Sequence, residues 1–203
     1  CMYNAAEKSS ADIVVCDFNY VVKDEKNNIK INTSRLRVDA EVVIDAKKDI
    51  KLIDKTRLFC CAKLYNRKFY INSKVKQINH AFEDTAVLPF LIYKANKIYR
   101  VPKALYNYYR GRTGSTVNIV NNYGDMLKSL QEIEKGFKEE GVFEKYYTVL
   151  KKVSYSQVRF IYKKLMAAGR KVLLDNKKII NELYEFMDKV YPDWVNIDAY
   201  NIG

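Results

Sequence analysis

The 203-residue chain has very little histidine and few cysteines, and both scarcities limit its chemistry. His80 is the one histidine, and Cys1, Cys16, Cys60 and Cys61 show no Cys-x-x-Cys spacing. Because zinc sites are built from clustered cysteine and histidine ligands, this composition argues against one. We expect the adjacent Cys60 and Cys61, which lie in an apolar run, to be buried free thiols in a reducing compartment.

The chain also lacks an apolar run of bilayer length, a visible signal peptide and an initiator methionine at position 1. Its first residues already have the pattern of a helix interior, so we expect the sequence to be a fragment of a longer protein. Internal repeats and low-complexity segments are absent as well. Hydrophobic residues at 48% and charged residues at 30% are typical of a globular domain.

Tyrosine and positive charge are abundant. Seventeen tyrosines imply many half-buried rings with a hydrated hydroxyl, or surfaces that stack on sugars or bases. The net charge of +12 is uneven, because residues 1–118 hold 22 Lys and Arg against 12 Asp and Glu, whereas residues 119–203 hold 14 against 12. The surplus favours phosphate-bearing ligands or anionic lipid surfaces, although solubility alone explains the overall charge equally well.

The first 118 residues alternate between helix and strand patterns, which is typical of an α/β fold. A β-branched run at 11–18 predicts a strand buried on both faces, and the polar residues 24–28 predict a hairpin turn. Further expected elements are helices over 2–9, 47–58, 66–71 and 85–95, an extended segment at 38–44, and two strands at 97–101 and 104–109 on either side of Pro102.

Beyond residue 118 the pattern becomes entirely helical. Residues 125–140, 143–168 and 171–191 each show 3.6-residue periodicity, and Gly141 and Gly169 separate them. We therefore divide the chain into an α/β part, residues 1–118, and an all-helical part, residues 119–203. The near-neutral charge of the helical part fits a packing role.

An acidic pair, Glu83 and Asp84, opens an apolar helix, and no acid follows until Asp125. Acids in a first helical turn are commonly caps, worth about 0.3–1 kcal/mol. A carboxylate held at a helix start also suits a general base. The segment that follows carries charges of one sign only, which suits a negatively charged substrate: Lys94, Lys97, Arg100, Lys103, Arg110 and Arg112. We interpret His80 as a polar loop residue.

Six motifs occur in a fixed order: ADIVVC at 11–16, CAKLYNR at 61–67, FEDT at 82–85, IYRVP at 98–102, ALYNYYR at 104–110 and GST at 114–116. This set resembles the second half of a family 2 bacterial glycosyltransferase with the GT-A fold. Residues 143–146 and 191–194 are similar to the helical tail of that subgroup. The resemblance covers nearly the whole chain. It implies the C-terminal portion of a GT-A nucleotide-diphospho-sugar transferase fold, followed by a helical appendage.

The resemblance assigns the reacting carboxylate to Asp84. This residue would deprotonate an acceptor hydroxyl for in-line attack on the anomeric carbon, with inversion of configuration. Glu83 would orient the acceptor or its loop. An inverting transfer needs one such carboxylate, together with metal or cations that absorb the charge of the departing diphosphate.

The remaining site residues also come from the resemblance. Arg110 and Arg112, in a loop with Ser115, would bind the donor diphosphate or a phospholipid-linked acceptor. Lys63 and Tyr65 match the element near the acceptor cleft. Two alternatives stay open, since Arg110 fits a surface strand arginine and Tyr65 fits a buried ring equally well.

The donor half of the family is missing from this sequence. That half carries an Asp-x-Asp motif with a divalent cation, Mg²⁺ or Mn²⁺, and we find no match to it here. We therefore expect this fragment alone to be inactive, without affinity for metal or donor. The expected parent is a hexosyltransferase that moves a sugar from a nucleotide-sugar donor to a cell-surface polysaccharide or lipid-linked acceptor, in the cytoplasm or at the inner face of the membrane.

Two other classes of function compete with this one. Positive charge with interleaved tyrosines suits a nucleic-acid-binding or anion-binding module, but the cations follow a strand and loop rather than a recognition helix, so we expect no nucleic acid partner. A non-catalytic interaction domain is the other class. The helical tail leaves open both a homodimer and peripheral membrane association.

Overall fold

The computed structural model describes residues 1–23, 28–111 and 119–196, and the chain divides into two compact units. The first unit comprises Cys1–Gln77 and Val87–Ser115, and the second comprises Ile78–Ala86 and Thr116–Gly203. Our division of the sequence at residue 118 placed residues 78–86 in the α/β part. Their contacts place them in the helical unit instead.

The fold is mixed α/β, as the sequence predicts. The first unit contains α1 (Met2–Ser9), β1 (Ile13–Lys23), β2 (Ile29–Ser34), β3 (Val43–Asp45), α2 (Leu52–Lys55), β4 (Lys63–Tyr65), α3 (Arg67–Ser73) and β5 (Lys97–Tyr109). Helix α4 (Glu83–Lys94) begins in the second unit and continues into the first. The second unit adds α5 (Asp125–Glu139), α6 (Phe143–Ala168), α7 (Arg170–Asp175) and α8 (Lys177–Val190), with 3₁₀ turns at Val120–Asn122 and Trp194–Asn196.

Strand β1 is the centre of a five-stranded mixed sheet. Along one edge it pairs antiparallel with β4 through residues 13–15 and with β2 through residues 18–23, and along the other edge it pairs parallel with β5. Strand β3 extends the sheet beyond β5. The pairing of β1 with β2 agrees with the predicted hairpin, whose turn residues 24–27 lie outside the described residues.

The prediction that β1 begins as a strand buried on both faces is confirmed. Every residue from Ile13 to Phe18 is at most 3% exposed. Burial raises the pKa of the Cys16 thiol, which therefore packs as a neutral side chain. Cys60 and Cys61 are free thiols, as predicted, but the prediction that they are buried is wrong, because both are half-buried. Their apolar run forms a bend and a turn before β4 rather than a core element.

One strand replaces the two that we expected around Pro102. Strand β5 runs through the proline because the register with β1 shifts there: Cys16 pairs with Val101, Asp17 with Ala104 and Phe18 with Tyr106. The shifts leave Pro102 and two further residues without partners on β1. A bulge of this kind accommodates a residue that has no amide hydrogen to donate.

The helix predicted over residues 47–58 shrinks to α2, Leu52–Lys55. Two aspartates explain the loss, because Asp45 accepts from the Lys47 amide at 3.0 Å and Asp49 accepts from the Lys51 amide at 3.1 Å. Such side-chain bonds stabilise turns that compete with helix. The helix predicted at 85–95 does form, as α4, with Leu88, Leu91 and Ile92 buried.

In the second unit, α5 and α6 match their predicted ranges, and the third predicted helix is split at Asn176. The Asn176 side-chain amide donates to the Val172 carbonyl at 2.8 Å and so ends α7.

Tyr191, which directly follows α8, is fully buried against Phe143, and this burial raises the pKa of its hydroxyl. Among the helices of the described ranges, none combines the length and the apolar character needed to cross a bilayer.

Candidate functional site

The predicted catalytic pair lies at the start of α4. Glu83 and Asp84 occupy its first turn, and both side chains are half-buried. The Thr85 amide donates to the Phe82 carbonyl at 3.0 Å and closes the turn that precedes the helix. Because a helix start has unpaired amide groups and the positive end of the helix dipole, it is a favourable place for a carboxylate.

Two side chains of α5 hold the turn before the pair. Asp125 accepts a hydrogen bond from the Ala81 amide at 3.1 Å, and the Ser129 hydroxyl donates to the Phe82 carbonyl at 2.9 Å. Lys128 donates to the other Asp125 oxygen at 2.7 Å, which lowers the pKa of the Asp125 carboxyl. The segment that carries Glu83 and Asp84 is thereby fixed to α5.

Sequence reasoning missed both holding residues. The available signals were that Asp125 is the first acid after the FEDT motif and that Ser129 is a polar residue on the core side of an amphipathic helix. Ser129 is fully buried. A buried hydroxyl needs a partner, and here that partner is 47 residues away in the chain.

Phe82 adopts a conformation that is unfavourable for a residue with a side chain. Its φ is 62°, in the left-handed region that favours glycine. The ring packs near Tyr123, with centroids 6.4 Å apart, and near Phe160, at 6.5 Å. Aromatic packing and the Ser129 hydrogen bond therefore offset the backbone cost at the residue before Glu83.

His80 lies in the loop before α4, as we interpreted it. Its Nδ1 atom is 2.8 Å from the Ala81 carbonyl oxygen, and the side chain is half-buried. Because a carbonyl only accepts hydrogen bonds, Nδ1 carries the proton in this contact. The residue orders the loop, and nothing in its contacts assigns it to the chemistry.

Arg100 belongs to the structure of the sheet and not to an anion-binding surface. Its guanidinium forms a bidentate pair with Asp17, at 3.0 and 2.7 Å, and also donates to the Val38 carbonyl at 2.8 Å. The Leu36 amide donates to Asp17 at 2.9 Å. The two charged side chains are only 11% and 5% exposed. Among the cations of the acid-free segment 86–118, Arg100 is therefore engaged within the sheet.

Arg110 is exposed and lies directly after β5. Its amide donates to the Val21 carbonyl at 2.9 Å, and its guanidinium carbon lies 3.6 Å from the centre of the Tyr20 ring. Within the described residues, no carboxylate pairs with it. Stacking positions a guanidinium plane while leaving its N–H edge able to bind an anion.

Lys63 is tied to the loop that precedes it. Its ammonium group donates to the carbonyls of Arg57, at 3.1 Å, and Phe59, at 2.7 Å. Arg57 has φ of 63°, so these bonds hold an unfavourable turn in place. Tyr65 is half-buried and packs edge to face with Tyr70, with centroids 6.0 Å apart. Both residues have clear structural contacts in the first unit.

One aromatic cluster connects two of the predicted site residues. It consists of Phe18, Tyr20, Phe59 and Tyr108, whose neighbouring ring centroids are between 4.9 and 6.3 Å apart. Arg110 stacks on Tyr20, and the ammonium group of Lys63 lies 4.9 Å from the Phe59 ring. The structure therefore brings Lys63 and Arg110 to the same cluster, which the sequence alone does not indicate.

The other predicted residues are distributed differently. Glu83 and Asp84 belong to the second unit, whereas Lys63, Tyr65 and Arg110 belong to the first. Arg112 and Ser115 fall in residues 112–118, outside the described residues.

An open polar groove of about 430 Å³ lies elsewhere in the first unit. Its lining residues are Asp12, Asn66, Lys68, Phe69, Asn72, Ser73, Lys94 and Asn96. None of the predicted site residues within the described ranges lines it. The Asp12 carboxylate is engaged there by the backbone amides of Asn96, at 2.7 Å, and Lys97, at 3.1 Å.

Neither a scan of protein-family models nor a comparison with curated proteins gives a match for this chain. The resemblance to family 2 glycosyltransferases therefore rests on the sequence motifs alone. Within the described part of the chain, no group of three or more His, Cys, Asp or Glu side chains could hold a metal ion.

Proposed function

We propose that this chain carries the acceptor side of an inverting glycosyltransferase, which moves a hexose from a nucleotide-diphosphate donor to a saccharide or lipid-linked acceptor of the cell envelope. One observation carries the proposal. Three motifs that are far apart in the sequence lie side by side in the sheet, because residues 13–15 of β1 pair with residues 63–65 of β4 and with residues 98–100 of β5. In this proposal the enzyme acts in the cytoplasm or at the inner face of the membrane.

In the proposed reaction, Asp84 accepts the proton of an acceptor hydroxyl. The hydroxyl oxygen attacks the anomeric carbon of the donor and forms the new glycosidic bond. The bond from that carbon to the nucleotide diphosphate breaks, and the diphosphate leaves with the bonding electron pair. Attack opposite to the leaving group inverts the configuration. A positioned base contributes about 10²–10⁴-fold to such a step.

The held turn before α4 supports a base at Asp84. A base must be positioned within about 0.5 Å of its productive geometry, and residues locked by surrounding hydrogen bonds provide that precision. Asp125 and Ser129 lock the backbone immediately before Glu83. Glu83 orients the acceptor or its loop in this proposal.

Arg110 has the role of an anion ligand in the same proposal. The departing diphosphate carries negative charge, and a guanidinium fork matches phosphate oxygens in geometry and charge. Its exposure and its stacking on Tyr20 support this role. Lys63 and Tyr65 contribute through the packing of the neighbouring loop and strand. No step is assigned to a metal ion held by this chain.

The experiment measures release of nucleoside diphosphate by the full-length gene product from a panel of nucleotide sugars, with and without saccharide acceptors. Asp84→Asn keeps the size of the side chain and removes the base, so we expect kcat to fall by about 100-fold or more. Glu144→Gln is the matched control, because it removes a first-turn carboxylate from α6 of the same unit. Turnover that is unchanged in Asp84→Asn would refute the base.

A further inference from the structure

The helical part, residues 119–203, has a near-neutral net charge, but its cations and its acids are concentrated in different segments. Residues 119–203 contain 14 Lys and Arg and 12 Asp and Glu. Half of the cations but only one acid, Asp175, fall within residues 159–178. The seven cations of that segment are Arg159, Lys163, Lys164, Arg170, Lys171, Lys177 and Lys178. The remainder of the helical part is acidic, with seven cations against eleven acids.

The same segment exposes large apolar side chains. Tyr162, Met166 and Leu174 are 36%, 50% and 59% exposed. Tyr162 and Met166 are four residues apart on α6, so they lie on one stripe, and Lys163 flanks them on the same side. Ile161, which is fully buried, marks the core-facing side of the helix. Apolar side chains on this stripe are therefore interspersed with cations.

Three helices contribute to this end of the second unit. Gly169, with φ of 110°, ends α6 and allows the chain to turn directly into α7, which packs against both α6 and α8. Lys171 on α7 and Lys177 at the start of α8 are exposed. The end of α6, all of α7 and the start of α8 are therefore neighbours in the fold, and we call residues 159–178 the basic apolar surface.

We propose that the basic apolar surface binds an anionic lipid bilayer, with Tyr162, Met166 and Leu174 entering the headgroup region and the cations contacting lipid phosphates. Helices that lie in a membrane interface combine cations with exposed apolar residues in this way. A second copy of the chain is a poor occupant, because a two-fold contact would place the same excess of cations on both sides. A nucleic acid backbone satisfies the cations but leaves the apolar side chains without partners.

The first experiment is co-sedimentation of the full chain with vesicles of phosphatidylcholine alone and of phosphatidylcholine mixed with phosphatidylglycerol. We expect binding to the anionic vesicles only, and weaker binding as the salt concentration rises. Equal binding to both kinds of vesicle, or to neither, would overturn the proposal.

Vesicle binding of two triple variants, which have the same net charge but lose lysines at different places, shows where the lipid binds. We expect Lys163→Gln, Lys171→Gln and Lys177→Gln together to weaken binding by about 100-fold at low salt, because each basic residue near an anionic surface contributes about 1 kcal/mol. The control changes exposed lysines elsewhere in the unit, Lys135→Gln, Lys145→Gln and Lys189→Gln. Equal losses in the two variants would show that net charge alone causes binding, and would contradict a specific surface.

The apolar contribution is tested separately with Met166→Ser and Leu174→Ser. We expect this pair to weaken vesicle binding at high salt, where the electrostatic attraction is screened. Ile71→Ser, which changes an exposed apolar residue of the first unit, should leave binding unchanged. Oxidation of Met166 reports whether the surface is covered. If self-association or single-stranded RNA protects Met166 from oxidation and vesicles do not, a different partner covers the surface and the proposal fails. These results do not depend on glycosyl transfer.

Discussion

Arg100 and Arg110 are ten residues apart in one segment of the chain, and the fold uses them in opposite ways. Arg100 lies inside β5 and forms a buried bidentate pair with Asp17. Arg110 directly follows β5, is exposed and stacks on Tyr20. Both are cations of the same acid-free segment in the sequence. One run of positive charge therefore contains a residue that holds the sheet together, Arg100, and a residue that is exposed to solvent, Arg110.

We expect substitution of Arg100 to lower the free energy of unfolding far more than substitution of Arg110. Arg100→Ala leaves the Asp17 carboxylate buried without its cation, so we expect a loss of about 3–5 kcal/mol in the free energy of unfolding. Arg110→Ala removes an exposed stacking contact and should cost about 0.5–1 kcal/mol. Urea denaturation of both variants measures the difference. Similar losses in the two variants would remove the distinction between a structural and an available arginine.

The Asp125 carboxylate also holds a distant part of the chain, because it accepts from the Ala81 amide in the turn before the predicted base. Asp125→Ala removes the acceptor of the Ala81 amide, and we expect a loss of about 1–2 kcal/mol near neutral pH. Because the folded-state pKa of Asp125 is lowered, its contribution is present above the unfolded pKa and disappears as pH falls through the folded value. The stability difference from the unchanged protein should therefore shrink in urea titrations below about pH 4.

Glu134→Ala is the control for Asp125. The Glu134 side chain has the same 22% exposure and pairs with Lys138 on its own helix, but within the described residues it holds no distant backbone group. We expect a loss of no more than about 0.5 kcal/mol, as is usual for exposed helical pairs. If Asp125→Ala costs as little as Glu134→Ala, the turn before Glu83 is not held by α5.

The smallest expected effect concerns the ring beneath Arg110. A double-mutant cycle of Tyr20→Leu and Arg110→Met should give a coupling energy of about 0.5–1 kcal/mol, because the guanidinium lies over the ring. The comparison pair is Tyr109→Leu with Arg110→Met, since Tyr109 is the exposed neighbour of Arg110 in the chain. A larger coupling with Tyr109 than with Tyr20 would show that Arg110 is not positioned by stacking.

The elements predicted well from the sequence are those specified by local pattern. The buried run of β1 and the amphipathic periodicity of α5 and α6 each require only neighbouring residues. The elements that we predicted incorrectly depend on residues far away in the sequence or on turns stabilised by side-chain hydrogen bonds. Continuity of β5 through Pro102 depends on its register with β1, and the loss of helix near residue 50 depends on Asp45 and Asp49.

The candidate site, like the fold, could be predicted from the sequence only in part. The FEDT motif indicates the start of α4, which the structure also has. Asp125 and Ser129, which hold that start, are 44 and 47 residues away from their backbone partners. The partner of Arg100 is 83 residues away. No local pattern distinguishes a cation with such a partner from one without it.

We propose above that this chain serves an inverting transfer of sugar from a nucleotide donor. The anomeric configuration of the glycoside made by the full-length gene product, read by proton NMR, tests this proposal. We expect a donor with an α-linked sugar to give a β-linked product, and we expect Asp84→Asn to slow its formation by about 100-fold or more. A product with retained configuration, or one formed equally well by Asp84→Asn, would contradict it.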